Sequence, residues 1–223
     1  QIEQITPEDV AVVELSSFQL ISMRQSPQIA VVTNVAPNHL DVHKDMAEYI
    51  AAKENILLHQ NAFSRTVLNA DNDITRAMAG QVSGELLTFS RRQRPARGTF
   101  LDEEGRLCFV DGEACIPLLH RSEIRIPGIH NVENFLAAIA AVHSIVNPEQ
   151  IRRVAREFAG VEHRIEFVRE LDGVRWYNDS IATSPTRTIA GLNSFSEKLI
   201  VIAGGYDKKI PFEPLAPALI QRT

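Results

Sequence analysis

The chain has 223 residues, of which 44% are hydrophobic and 23% charged, with a formal net charge of -5 at pH 7. That length allows one large domain or a domain with part of a second, and folding would bury about 70% of the unfolded surface, so no disulfide or metal is needed to hold a core. The acidic balance excludes the basic footprint of a nucleic-acid binder; no apolar run approaches the roughly 20 residues that span a bilayer, and Gln-Ile-Glu-Gln at the start has no signal-peptide pattern, so a cytoplasmic protein is expected.

Taken in chain order, Val10 to Leu15 is an apolar run interrupted by Glu14, and Ile29 to Val32 is a second run ending in Thr33-Asn34. Both read as strands of a mostly parallel sheet, buried on two faces. Met46 to Gln60 has helical spacing, Thr66 to Leu68 reads as a strand, Asp73 to Ala79 as a short helix, and Leu86 to Ser90 as a strand. Thr99-Phe100-Leu101, an acidic turn ending at Gly105, Leu107 to Val110 and the turn Asp111-Gly112 mark an antiparallel patch. Its two cysteines, Cys108 and Cys115, are expected as reduced, packed thiols.

Asn131 to Ile145 is a helix with Phe135, Leu136, Ile139 and Val142 on one stripe. Asn147-Pro148-Glu149-Gln150 opens another that runs to about Ala159, with Asn147 and Gln150 placed for a capping box. Gly160 then marks a boundary. Strands at Ile165 to Glu170 and Val174 to Tyr177, a helix from Ser184-Pro185 and a buried strand from Leu199 to Ala203 follow. The expected fold is α/β: a mostly parallel central sheet flanked by helices with a small antiparallel patch over 1–160, then an incomplete Rossmann-like unit over 161–223. The start on Gln1 and the helical pattern just before Thr223 suggest a piece of a longer protein.

In open α/β sheets ligands bind beyond the carboxyl ends of the strands, and polar residues gather at such ends here: Glu14, Thr33-Asn34 with His39, Asn178-Asp179, and Gly204-Gly205. Glu14 in an apolar run is a metal-ligand candidate, or a strand-end carboxylate reaching solvent or an arginine. Asn38 to His43 offers His39, Asp41 and His43 as metal ligands, or a polar loop in which Asp41 caps the next helix. Lys53 shares a helical stripe with Met46, Ile50 and Leu57, so it must snorkel, pair with an anion or lose its charge. A neutral amine there could take up carbon dioxide as an anionic, metal-binding carbamate. Asn131 and Asn134, three apart on one face, could hold a purine or simply face solvent. Neither G-x-x-x-x-G-K-[ST] nor G-x-G-x-x-G occurs.

In family order, Glu14-Leu15-Ser16-Ser17-Phe18-Gln19-Leu20, Asn38-His39-Leu40-Asp41, Ala51-Ala52-Lys53 and His130-Asn131-Val132-Glu133-Asn134 with Ala137-Ala138 resemble motifs of the Mur ligase family. His163-Arg164, Asn178-Asp179-Ser180 with Ala182-Thr183, and Gly204-Gly205-Tyr206-Asp207-Lys208 complete the set, so the likeness covers essentially all 223 residues. The wording is nearest the branch that adds D-glutamate to UDP-N-acetylmuramoyl-L-alanine in peptidoglycan biosynthesis. The resemblance implies a three-domain, ATP-dependent ligase working through an acyl phosphate, as a monomer. This chain would hold most of the central, ATP-binding domain and the start of the C-terminal one, without the phosphate loop. It implies two Mg2+ sites, with Glu14, His39 and a carbamylated Lys53 as metal ligands and Lys53 and His39 as catalytic groups. It implies Asn131 and Asn134 at adenine, Arg164 at the phosphates, Asp179 at the ribose, and Thr183 and Lys208 at the incoming glutamate. Ile181 stands where many relatives carry lysine. The alternatives are a sibling or folylpolyglutamate-type ligase, a metal-dependent hydrolase using His39, Asp41 and His43, and a non-catalytic nucleotide-binding module.

Overall fold

The computed structural model describes residues 2–36, 43–205 and 211–223. Strands β1 (Ile29–Val32), β2 (Arg65–Asn69), β3 (Glu85–Ser90), β4 (Arg97–Leu101), β5 (Arg106–Asp111) and β6 (Ala114–His120) form one sheet in sequential order, and β7 (Glu166–Leu171) and β8 (Val174–Asn178) form a second. The chain divides within β3 into two compact units, residues 1–87 and 88–223.

In the first unit, β1 and β2 are parallel, in register from Ile29 opposite Arg65 to Val32 opposite Leu68. A parallel pair needs a crossover, and most of it is α2 (Met46–Leu58), whose N-cap Asp45 accepts from the Glu48 N–H. Tyr49 and Leu57 of α2 join Ala30, Val32, Val35, Leu68 and Met78 in the core, with Met46 and Ile50 packed against it. The one-turn helix α1 (Ser17–Leu20) precedes β1, and α3 (Asp73–Ala77) follows β2. Gln60 holds the entry to β2: its amide donates to the Pro27 and Arg65 carbonyls at 2.9 and 3.0 Å and accepts from the buried Thr66 hydroxyl at 2.5 Å.

In the second unit, β3 runs parallel to β4, while β4–β5 and β5–β6 are antiparallel. Helix α4 (Ile129–Val142) buries Val132, Phe135, Leu136, Ile139 and Ala140, and the Thr99 hydroxyl of β4 donates to the Leu136 carbonyl at 2.8 Å. Helix α5 (Pro148–Glu157) carries the expected Asn147–Gln150 capping box and docks through Arg152 on the Leu118 carbonyl at 2.7 Å. Helix α6 (Pro185–Leu192) starts after Ser184, and α7 (Ala216–Arg222) follows a 3-10 turn. Among the described residues no helix is long and apolar enough to cross a membrane.

Two expected strands do not form. Val10 to Leu15 and Leu199 to Ala203 join no sheet among the described residues, and they leave Val12 93% and Ile200 92% exposed. An apolar run favours a strand only when a neighbouring strand takes its N–H and C=O groups and covers its faces. Among the described residues neither run is paired to a strand, and the Leu199 N–H donates instead to the Arg222 carbonyl of α7 at 2.7 Å. Leu68→Ala, at a fully buried position, is expected to lower unfolding free energy by about 2–5 kcal/mol. Val12→Ala should stay within about 0.5 kcal/mol, and urea denaturation of both variants checks the contrast.

Candidate functional site

The first group of candidates is built on α1 and α2. Four residues are too few to hold a helix by propensity, so α1 relies on its ends. Ser16 and Gln19 form a capping box, with the Ser16 N–H donating to Gln19 Oε1 at 2.9 Å and Ser16 Oγ accepting from the Gln19 N–H at 3.4 Å. Asn55 on α2 donates to the Leu20 carbonyl at 3.0 Å, and the Ser17 hydroxyl lies 2.9 Å from His43 Nε2 just before α2 begins. Glu14 leads into α1 and is exposed. Lys53 is half-buried on α2, its ammonium 5.8 Å from the centre of the Tyr49 ring. Burial holds the Lys53 ammonium below the usual lysine range, and the Glu14 carboxylate works against that shift. Lys53 therefore sits half-buried on α2 within the electrostatic reach of Glu14.

The second group lies on the elements around α4. Gly128 caps α4 with φ +101, and a Cβ there would come within 2.5 Å of both the His130 ring and the Ser194 hydroxyl. Asn131 is buried, donates to the Pro127 carbonyl at 2.6 Å and accepts from Asn134 at 3.2 Å. Asp179, half-buried after β8, accepts from the Ile165 N–H at 3.1 Å, and a Cβ on Gly191 would meet its carboxylate at 2.6 Å. Burial raises the Asp179 carboxyl, against the Ile165 N–H and the charges of Arg164 and His130. His130 is held below the usual imidazole range by burial, aided by Arg164 and opposed by Glu133 and Asp179. The backbone at His163 and Ile165 has φ of 65 and 46; for a β-branched residue this is a strained conformation, costing on the order of 1–3 kcal/mol. Arg164 sits between these two residues and is exposed, as are Asn134, Thr183 and Ile181.

The structure thus relates Glu14 to Lys53, Asn131 to Asn134, and Arg164 to Asp179 and His130. His39, Asp41 and Lys208 lie outside the described residues. Among the described residues no group of three or more His, Cys, Asp or Glu side chains could hold a metal. The capping Asp ahead of α2 is Asp45. Two features escaped the sequence reading: the α1 turn, signalled by the S-x-x-Q spacing of Ser16 and Gln19, and the burial of His43, for which no local signal exists.

Comparisons with known proteins concern the chain's family and fold. The family model of the Mur ligase middle domain matches residues 2–142. The UDP-N-acetylmuramoylalanine--D-glutamate ligase of Acetivibrio thermocellus is 58% identical over 222 residues, covering 100% of this chain and 47% of its own. The enzyme of that name from Clostridium kluyveri is 54% identical over 216 residues, covering 97% and 46%. The chain therefore spans about half the length of these relatives. Among solved structures, UDP-N-acetylmuramate-alanine ligase from Thermotoga maritima matches with a TM-score of 0.58 at 20% identity, covering 80% of this chain and 40% of that one. That likeness concerns the fold.

A histidine whose pKa is lower in the folded than in the unfolded state makes the folded protein bind fewer protons below about 6.5. Its stabilising share is present above that value and is lost as pH falls through 6.5 toward the folded pKa. Unfolding free energy measured by urea at pH 7.5 and 5.5 should therefore decline, and His130→Gln should flatten the decline; equal slopes in the two proteins would contradict the assignment.

Proposed function

This chain belongs to the Mur ligase family, and on that premise we propose that the protein is an ATP-dependent amide ligase. Its substrates on this reading are UDP-N-acetylmuramoyl-L-alanine and D-glutamate, the reaction named for the relatives from Acetivibrio thermocellus and Clostridium kluyveri. The observation that carries the site is the half-buried Lys53 amine in the field of the Glu14 carboxylate.

The donor set suits a hard, oxygen-preferring cation. Glu14 supplies one carboxylate. Burial favours the neutral Lys53 amine, whose lone pair can add to carbon dioxide with loss of a proton, giving a second anionic oxygen donor. Glu14 would serve one Mg2+ at the ATP phosphates, and His39 with the Lys53 carbamate a second near the acyl phosphate, where His39 and Lys53 act in catalysis. Bound Mg2+ would neutralise charge on phosphoryl oxygens. Asn131 and Asn134 would receive adenine, Asp179 the ribose and Arg164 the phosphates, where its exposed guanidinium stabilises charge that develops on oxygen. Thr183 and Lys208 would hold the incoming glutamate. In the proposed sequence the γ-phosphoryl group passes to the substrate carboxylate, the glutamate amine attacks the acyl phosphate, and phosphate leaves. The working protein would be a cytoplasmic monomer. Its ATP-binding part would extend to about Gly160 and a further unit would begin at Val161.

A metal-dependent hydrolase centred on His39, Asp41 and His43 is the weaker reading, because the buried His43 ring already engages Ser17 through Nε2. Phe18-Gln19-Leu20 favours the D-glutamate branch over its siblings.

The full-length protein is expected to release ADP only when UDP-N-acetylmuramoyl-L-alanine and D-glutamate are both present, and Lys53→Ala should lower kcat about a hundredfold or more. Residues 1–223 alone, which contain no G-x-x-x-x-G-K-[ST] loop, should release none. Equal turnover with lysine or diaminopimelate, or an active Lys53→Ala enzyme, would refute the reading.

A further inference from the structure

His43 belongs to none of the motifs that carry the family resemblance, yet it is buried at 4% exposure against a Ser17 buried at 2%. Its Nε2 is 2.9 Å from the Ser17 hydroxyl across 26 residues of sequence. Phe18 stacks on its ring at 5.3 Å with an interplanar angle of 10°, and the Tyr49 ring lies 5.2 Å away, tilted by 58°. Glu48 Oε2, which accepts the Lys44 N–H at 2.7 Å, lies 3.7 Å from His43 Nδ1. A carboxylate facing Nδ1 favours the tautomer with its proton there, leaving Nε2 to accept from Ser17.

The consequence is mechanical. Helix α1 is too short to keep its own orientation, and Glu14 lies two residues before its cap. The turn is fixed at two points: Asn55 of α2 holds Leu20 at its carboxyl end, and His43, three residues before α2, holds Ser17 at its amino end, the end that bears Glu14. The same imidazole packs on Tyr49, whose ring faces the Lys53 ammonium. One side chain thus touches both the segment that carries Glu14 and the aromatic surface beside Lys53.

We propose that His43 is a positioning residue, which sets the Glu14 carboxylate against Lys53 through its bond to Ser17 and its contact with Tyr49. The proposal rests on the metal-site reading above and adds to it an element outside the ligand set. Partners that orient ligands without touching the ion are worth about 10–100-fold in metal affinity. Removing the ring or the hydroxyl should therefore weaken cation binding through the same lost bond.

The test uses the full-length protein and Mn2+ as probe, with free Mn2+ read by electron paramagnetic resonance and folding checked by circular dichroism. Ser17→Ala, which removes one oxygen, and His43→Ala should each raise the Mn2+ Kd about tenfold. The double variant should be no worse than His43→Ala, and His43→Gln, whose amide can meet Ser17, should restore binding to within about twofold of the parent. Unchanged Mn2+ affinity in the folded Ser17→Ala protein, or failure of His43→Gln to restore it, overturns the positioning role. Glu14→Gln and Lys53→Ala serve as the reference: if they bind Mn2+ as tightly as the parent, the metal-site reading fails and the proposal with it. If they lose Mn2+ while Ser17→Ala does not, the positioning role alone fails.

Discussion

An amine held partly out of water is the constraint around which the first unit is arranged. Lys53 lies on the stripe of α2 that begins with Met46 and Ile50, both packed on the core, and ends with the fully buried Leu57. An ammonium loses hydration there, which favours the uncharged amine. The surroundings answer in two ways: the Tyr49 ring faces the ammonium, and the Glu14 carboxylate supplies opposite charge. The ring comes from α2 itself; the carboxylate depends on α1, which follows Glu14 and is bonded at its carboxyl end by Asn55 of α2 and at its amino end by His43. The chemistry of one lysine thus depends on a one-turn helix and its anchors.

The second unit uses backbone constraint where the first uses burial. Asp179 is closely approached by Gly191, where a side chain would not fit, and is bonded by the N–H of Ile165 in a left-handed conformation. Arg164 is flanked by two such residues, so its exposed side chain projects from a fixed backbone. Gly128 gives the start of α4 the positive φ that lets the His130 ring and Ser194 approach. Strain of this kind persists only when surrounding bonds over-determine it. Here Ile181 and Ala182 add backbone bonds to His163 and Asp179.

Elements with a complete local signal were legible in the sequence. The 3.6-residue stripe of α4, the Asn147–Gln150 capping box of α5 and the turn at Asp111-Gly112 each contain their own cause. So did the placing of Lys53, because a helical stripe fixes which residues share a face. What failed was whatever needed a partner. Val10 to Leu15 and Leu199 to Ala203 are apolar enough for strands, but the run does not say what lies beside it. The α1 turn was too short for periodicity. His43 read as a metal ligand or part of a polar loop, because the serine it bonds is 26 residues away. Lys208 was named only through family likeness and His39 also from its place after the Ile29–Val32 run; both lie outside the described residues.

On the proposed function, Lys53 would carry carbon dioxide as an anionic metal ligand. The most direct measurement is 13C nuclear magnetic resonance of the full-length protein equilibrated with 13C-bicarbonate and Mg2+, compared with its Lys53→Ala variant. The account predicts a carbamate resonance in the parent that the variant lacks. A parent spectrum without that resonance, or one identical in the two proteins, would contradict it.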